Sequence, residues 1–213
     1  NNRLYVGNIR QNGKIYGDRM IKSPIGKYNI LPSSNFIDVA INDGDEITAL
    51  QYFKDRLLQF KKNKVFVINV SGDLEFIENT FDNVGISKPC QVTKTPYGIA
   101  WANSSGCYLY DGEQMINLIE GKIGTETYQA AYTSNNWTIT DTQFPAIGYI
   151  KSTKKLIVSY TTSSHSIANS KPTIFQYDFT SKGWLFSAKS SVSDNSTTSG
   201  IIYSNFINNS EGD

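Results

Sequence analysis

Asp43-Gly44-Asp45-Glu46-Ile47-Thr48-Ala49-Leu50-Gln51-Tyr52-Phe53-Lys54-Asp55-Arg56-Leu57-Leu58-Gln59-Phe60-Lys61-Lys62 is the stretch on which the fold turns, because it reads in two ways. Ile47, Leu50, Phe53, Leu57 and Phe60 recur at spacings of three and four, with acidic residues at the start and Lys61-Lys62 at the end. That pattern suits an amphipathic helix. The same residues also divide into two strands, Ile47 to Phe53 and Leu57 to Lys61. Met115 to Ile119 carries the same ambiguity. Periodicity alone does not settle short apolar runs, so the surroundings set the expectation.

Outward from this stretch, the recurring element is a short run of β-branched and aromatic residues ended by a polar or glycine turn, the signature of strands and hairpins. Lys14-Ile15-Tyr16, Val65-Phe66-Val67-Ile68, Cys107-Tyr108-Leu109-Tyr110, Leu156-Ile157-Val158-Ser159-Tyr160 and Thr173-Ile174-Phe175-Gln176-Tyr177 are examples. Asn12-Gly13, Asp43-Gly44, Ser71-Gly72-Asp73, Ser105-Gly106, Asp111-Gly112 and Lys182-Gly183 supply the turn chemistry between runs. The runs group with a loose period of about 45 to 55 residues, the range of four-stranded propeller blades. One unit holds strands near 47–53, 57–61, 65–70 and 74–77; a second near 90–94, 98–102, 107–110 and 115–119; a third near 146–150, 156–160, 173–178 and 184–187. The approximate units are 1–35 (partial), 36–83, 84–136, 137–190 and 191–213 (partial), with Ile201 to Phe206 opening another blade. The expectation is an all-β chain of β-propeller-like blades of four antiparallel strands, a segment of a longer propeller, because so few units do not close a ring.

Composition narrows the function. The chain has 213 residues, 39% hydrophobic and 13% aromatic, which exceeds what a disordered chain carries. Charged residues make up only 18% and the net charge is +1, so no basic field draws the chain to nucleic acid or an anionic membrane. No run of apolar residues has the length of a membrane span. Cys90 and Cys107 lack metal-site spacing and read as two buried free thiols. The Asn-x-Ser/Thr triplets at Asn69, Asn103, Asn136, Asn195 and Asn208 follow from a composition rich in those residues.

Candidate chemistry is sparse. Asn42-Asp43-Gly44-Asp45-Glu46 clusters oxygen ligands, but it lacks the spacing and closing glutamate of a calcium loop and reads as a structural Asp-Gly hairpin turn; Asp111-Gly112-Glu113 reads the same way. Asp73, Glu75, Glu78 and Glu120 are the carboxylates from which a glycosidase pair would have to come, and no pair stands out. His165 lies in a Ser/Thr-rich stretch with no nucleophile elbow, and phosphate-binding glycine loops are missing. No catalytic residue, metal ligand or cofactor is expected. Among Trp101, Trp137 and Trp184, Trp184 reads as hairpin packing, and Trp137 is the candidate for an exposed, ligand-facing ring that stacks on a sugar.

Asn2-Arg3-Leu4-Tyr5-Val6-Gly7-Asn8, Gly17-Asp18-Arg19-Met20-Ile21-Lys22-Ser23, Asn35-Phe36-Ile37-Asp38-Val39, Asp43 to Leu50 and Leu57-Leu58-Gln59-Phe60-Lys61 together carry a resemblance. This part of the chain resembles the propeller of tail nozzle or muzzle proteins of short-tailed bacteriophages, including crAss-like phages, and of related phage stabilisation proteins. In that family the pattern marks successive blade strands, which implies strands from Ile47 to Lys61. Beyond Val70 the likeness is architectural. It implies a non-enzymatic virion protein, assembled in the host cytoplasm into a homo-oligomeric ring. The ring retains DNA, which passes without sequence-specific binding, and meets other tail proteins such as the adaptor and fibres. The alternative expectation is a glycan- or receptor-binding propeller module using Trp137. A fragment of a propeller glycosidase ranks last.

Overall fold

The computed structural model describes residues 2–41, 43–72, 74–124, 136–137, 139–142, 144–160, 174–187 and 206. It is all-β. The first sheet contains β1 (Tyr5–Gln11), β2 (Lys14–Lys22) and β3 (Phe36–Asp38); the second β4 (Ile47–Phe53), β5 (Arg56–Lys61), β6 (Lys64–Asn69) and β7 (Phe76–Asp82). The third contains β8 (Val92–Thr95), β9 (Gly98–Asn103), β10 (Gly106–Tyr110) and β11 (Met115–Asn117); the fourth β12 (Ala146–Ile150), β13 (Lys155–Ser159), β14 (Ile174–Asp178) and β15 (Gly183–Ser187). Within each sheet every strand pairs antiparallel with the next in sequence, so each sheet is an up-and-down meander of the kind that forms a propeller blade. Two compact units result: Asn1–Pro89 holds the first two sheets and Cys90–Asp213 the last two.

The ambiguous stretch is a hairpin. Leu50 pairs with Gln59, Tyr52 with Leu57 and Phe53 with Arg56. Its turn, Lys54-Asp55, has φ of 46° and 59°, both in the left-handed region that a two-residue hairpin turn of this hand requires. The helix-like spacing has a physical cause. In β5 and β6 five consecutive residues are buried, so both faces of the second sheet are covered and the alternation that marks a half-exposed strand is lost. Met115–Asn117 is also a strand.

Elsewhere the structure moves several expected boundaries. Phe36–Asp38, expected to begin the second unit, closes the first sheet by pairing with β2. Asp43-Gly44 is no hairpin turn but part of the connection from β3 to β4 between sheets. Cys90 lies in a single 3-10 turn, Pro89–Gln91, and β7 begins at Phe76 and runs to Asp82. The expected strand from Ile201 falls outside the described residues apart from Phe206.

Each unit has its own core. In the first, β1 lies against β4, and Met20, Val39, Ile47, Leu57, Phe66, Ile68 and Val70 fill the seam between the sheets. Gly7 of β1 sits close against the second sheet: a Cβ there would lie 3.0 Å from Ile47 and 3.3 Å from Leu50. In the second unit β8 lies against β12, again first strand to first strand, and the seam is aromatic. Trp137 packs on Phe175 with ring centroids 4.8 Å apart and Trp184 on Tyr177 at 5.2 Å.

Candidate functional site

Among the described residues the densest polar cluster lies in the seam of the first unit. On β5, Leu57, Gln59 and Lys61 alternate onto one face, the face that meets the first sheet. The Lys61 side chain is 0% exposed, and its Nζ donates to Asp18 Oδ1 at 2.5 Å, Asp43 Oδ1 at 2.8 Å and the Ala40 carbonyl at 3.1 Å. β2 supplies Asp18, and the connection between β3 and β4 supplies the other two acceptors. Three acceptors match the three protons of an ammonium, as burial of that charge demands. Burial pushes the Asp43 carboxyl up, but the Lys61 ammonium and the backbone N–H of Asp45 outweigh it and hold the group below the usual carboxylate range.

The remaining carboxylates of the acidic turn are structural as well. Asp45 accepts from the backbone N–H of Lys62 at 3.0 Å and of Asn63 at 2.9 Å, capping the β5–β6 turn. The connection is thus pinned to the second sheet by two aspartates, one through a buried ammonium and one through backbone N–H groups. A second charged link ties the same two sheets: Glu75 accepts from Lys22 Nζ at 2.5 Å and from the Tyr5 hydroxyl at 3.2 Å. Burial, and then the neighbouring Glu75, push the Tyr5 phenol up to about 12.

Gln59 stands apart in this seam. It is 0% exposed, and neither its Oε1 nor its Nε2 has a hydrogen-bond partner. Its cross-strand neighbours are Leu50 and Phe66, both apolar. Sequence reading missed Gln59 and Lys61 as a site. Their signal was the placement of two polar residues, two positions apart, in an otherwise apolar run.

The residues singled out from sequence are dispersed. Among the described residues no group of three or more His, Cys, Asp or Glu is placed to hold a metal ion. Asp111 accepts from the N–H groups of Glu113 and Gln114 in the β10–β11 turn. Glu78 is paired with Arg56 and Asn69, Glu75 with Lys22, and Glu120 is exposed in the other unit. His165 and Asp73 lie outside the described residues. Cys107 is buried, which pushes its thiol up, whereas Cys90 is half-buried rather than buried as expected. Asn69 and Asn136 of the Asn-x-Ser/Thr triplets are buried.

Trp137 requires a correction. The ring expected to face a ligand is 3% exposed, and its Nε1–H donates to the Asn103 carbonyl at 2.9 Å. Trp184 donates likewise to the Leu118 carbonyl at 2.8 Å, and Trp101 is buried against Tyr108. All three indoles are therefore packing elements. Their large apolar area drew them into the second unit's interior once the one polar atom found an acceptor, as at Trp137 and Trp184.

Together these observations define an all-β protein of consecutive blade-like sheets, with a buried ion-pair network between the first two. Comparison with protein-family models finds no match, and comparison with curated proteins finds none either. No helix among the described residues is long and apolar enough to cross a membrane.

Proposed function

We propose that the chain is a structural protein of a bacteriophage tail, a subunit of the nozzle- or muzzle-type ring that retains DNA until ejection and docks the adaptor and fibres. The observation that carries this reading is the serial construction of the chain. Up-and-down antiparallel sheets follow one another, and the conspicuous ionisable cluster, around Lys61, is engaged in joining sheets rather than lining a cleft. Rigid, serially joined blades suit a scaffold, and a net charge of +1 suits a wall past which DNA must move without being gripped. The resemblance of the first sixty or so residues to phage tail propellers supplies the particular assembly. The protein would be made in the host cytoplasm and reside in the virion.

The glycan-binding alternative drew on the aromatic and Asn-rich loops with Trp137 as its candidate ring, and the burial of Trp137 leaves it without that ring. Immunogold electron microscopy of purified virions with an antibody against this chain tests the proposal. Label confined to the tail end is the expected result, and virions free of the chain would overturn it. Analytical ultracentrifugation of the intact protein tests the ring: a single closed oligomer is expected, and a monomer at every concentration counts against it.

A further inference from the structure

The two seams of the molecule are built by different chemistry. Between the third and fourth sheets, indoles and phenyl rings interlock, and the Trp137 and Trp184 N–H groups both have acceptors. Between the first and second sheets, apolar contact is interrupted by the Lys61 network, by Glu75 with Lys22 and Tyr5, and by Gln59 with an amide that has no hydrogen-bond partner in the protein. A buried amide that forfeits its hydrogen bonds to water weakens the closed state, and a buried ion pair contributes far less than the same volume of apolar packing.

The first sheet and its β2–β3 connection also leave several of their own apolar side chains outside the seam. β3 has three residues, and Ile15, Ile25, Tyr28 and Phe36 are each more than two-fifths exposed. Beside the apolar contacts of Met20 and Val39, the elements joining the sheets include polar links that water replaces when they part.

We infer that the first sheet is a detachable module, which opens from the second along this seam as a cooperative step short of the unfolding of the unit. Gln59 sets how readily it opens, because its amide has no protein partner in the closed state and is freely hydrated in the open one. Opening bares one face of the second sheet, with Leu50, Leu57, Gln59, Lys61 and Phe66. Proteins draw their moving elements from the segments of lowest local stability, and this seam gives the first unit such a segment.

Native-state hydrogen exchange of the intact protein, read strand by strand, tests this with two substitutions on opposite faces of the second sheet. In the wild type, β1–β3 amides exchange faster than those of β5 and β6. Gln59→Leu slows β1–β3 exchange by about tenfold, as removal of an unsatisfied buried amide predicts; Gln59→Met serves if the leucine is not accommodated. Val67→Ala lies on the face away from the seam and weakens the second sheet in both closed and open states. It therefore speeds β5 and β6 exchange and leaves β1–β3 unchanged. A common rate for β1–β3, β5 and β6 in all three proteins would overturn the inference, as would β1–β3 exchange indifferent to Gln59→Leu.

Discussion

Lys61 is enclosed on every side while its partners Asp18 and Asp43 keep 20% and 22% of their side chains in contact with solvent, an asymmetry that decides what each substitution does. Removing the carboxylates strands an ammonium in the interior. Removing the ammonium leaves two carboxylates that can turn to water. We expect Asp18→Asn combined with Asp43→Asn to cost about 3–5 kcal/mol, and Lys61→Met to cost under about 2 kcal/mol. Urea denaturation of the variants checks the order, and equal losses would show that the ammonium is not the enclosed partner. Trp137 is enclosed too. Trp137→Ala should cost about 3–5 kcal/mol, as truncation of a buried aromatic does, and Trp137→Phe about 1 kcal/mol for the lost hydrogen bond to Asn103. At this scale the sequence was least legible. It shows that Lys61 is a lysine and Trp137 an indole, but enclosure depends on Asp18 and Ala40, some twenty to forty positions from Lys61, and on Phe175, thirty-eight positions from Trp137.

Among the elements, the β4–β5 hairpin shows why strand and helix readings competed. Asn12-Gly13 in the β1–β2 turn announces itself, because both residues tolerate positive φ and have φ of 51° and 78°. Lys54-Asp55 adopts the same conformation, for which Lys54 pays a steric penalty, and the Tyr52 hydroxyl donates to Asp55 at 2.9 Å. The turn was therefore invisible to composition, and the flanking runs joined into a false helix. Lys54→Asn should raise stability by about 0.5 kcal/mol, measured as a shift of the urea midpoint. The β8–β9 turn makes the opposite case. Gly98 has φ of 150°, its N–H donates to Thr95 Oγ1, and a Cβ there would fall 2.1 Å from the Tyr110 carbonyl oxygen. Gly98→Ala should cost more than about 3 kcal/mol by thermal melting, since backbone rather than a flexible side chain must move. Strands bounded by turns of this second kind were read from sequence almost to the residue, as Gly98–Asn103 and Gly106–Tyr110 show.

At the scale of the molecule, the charged seam of the first unit and the aromatic seam of the second should respond differently to acid. The folded Asp43 carboxyl titrates below its unfolded value, so its stabilising contribution is fully present above about pH 4 and disappears as the pH falls through the folded value. Protonation there withdraws a counter-charge from the buried Lys61 side chain. Asp178 in the second unit is also held below the usual range, by the N–H groups of Thr180 and Ser181, but it caps an exposed turn and its protonation strands no buried charge. The first unit should therefore lose structure at a higher pH than the second. The sequence provides the means of telling them apart, because Trp101, Trp137 and Trp184 all lie in the second unit and the first has none. Acidification below about pH 4 should reduce the far-ultraviolet circular dichroism of the strands while tryptophan emission stays at its native wavelength, and the emission should shift only at lower pH. The Lys61→Met variant carries no ammonium to strand, so in it the two signals should draw together. Coincident transitions in the wild-type protein would mean that the two units unfold as one and that the Lys61 network does not set acid stability.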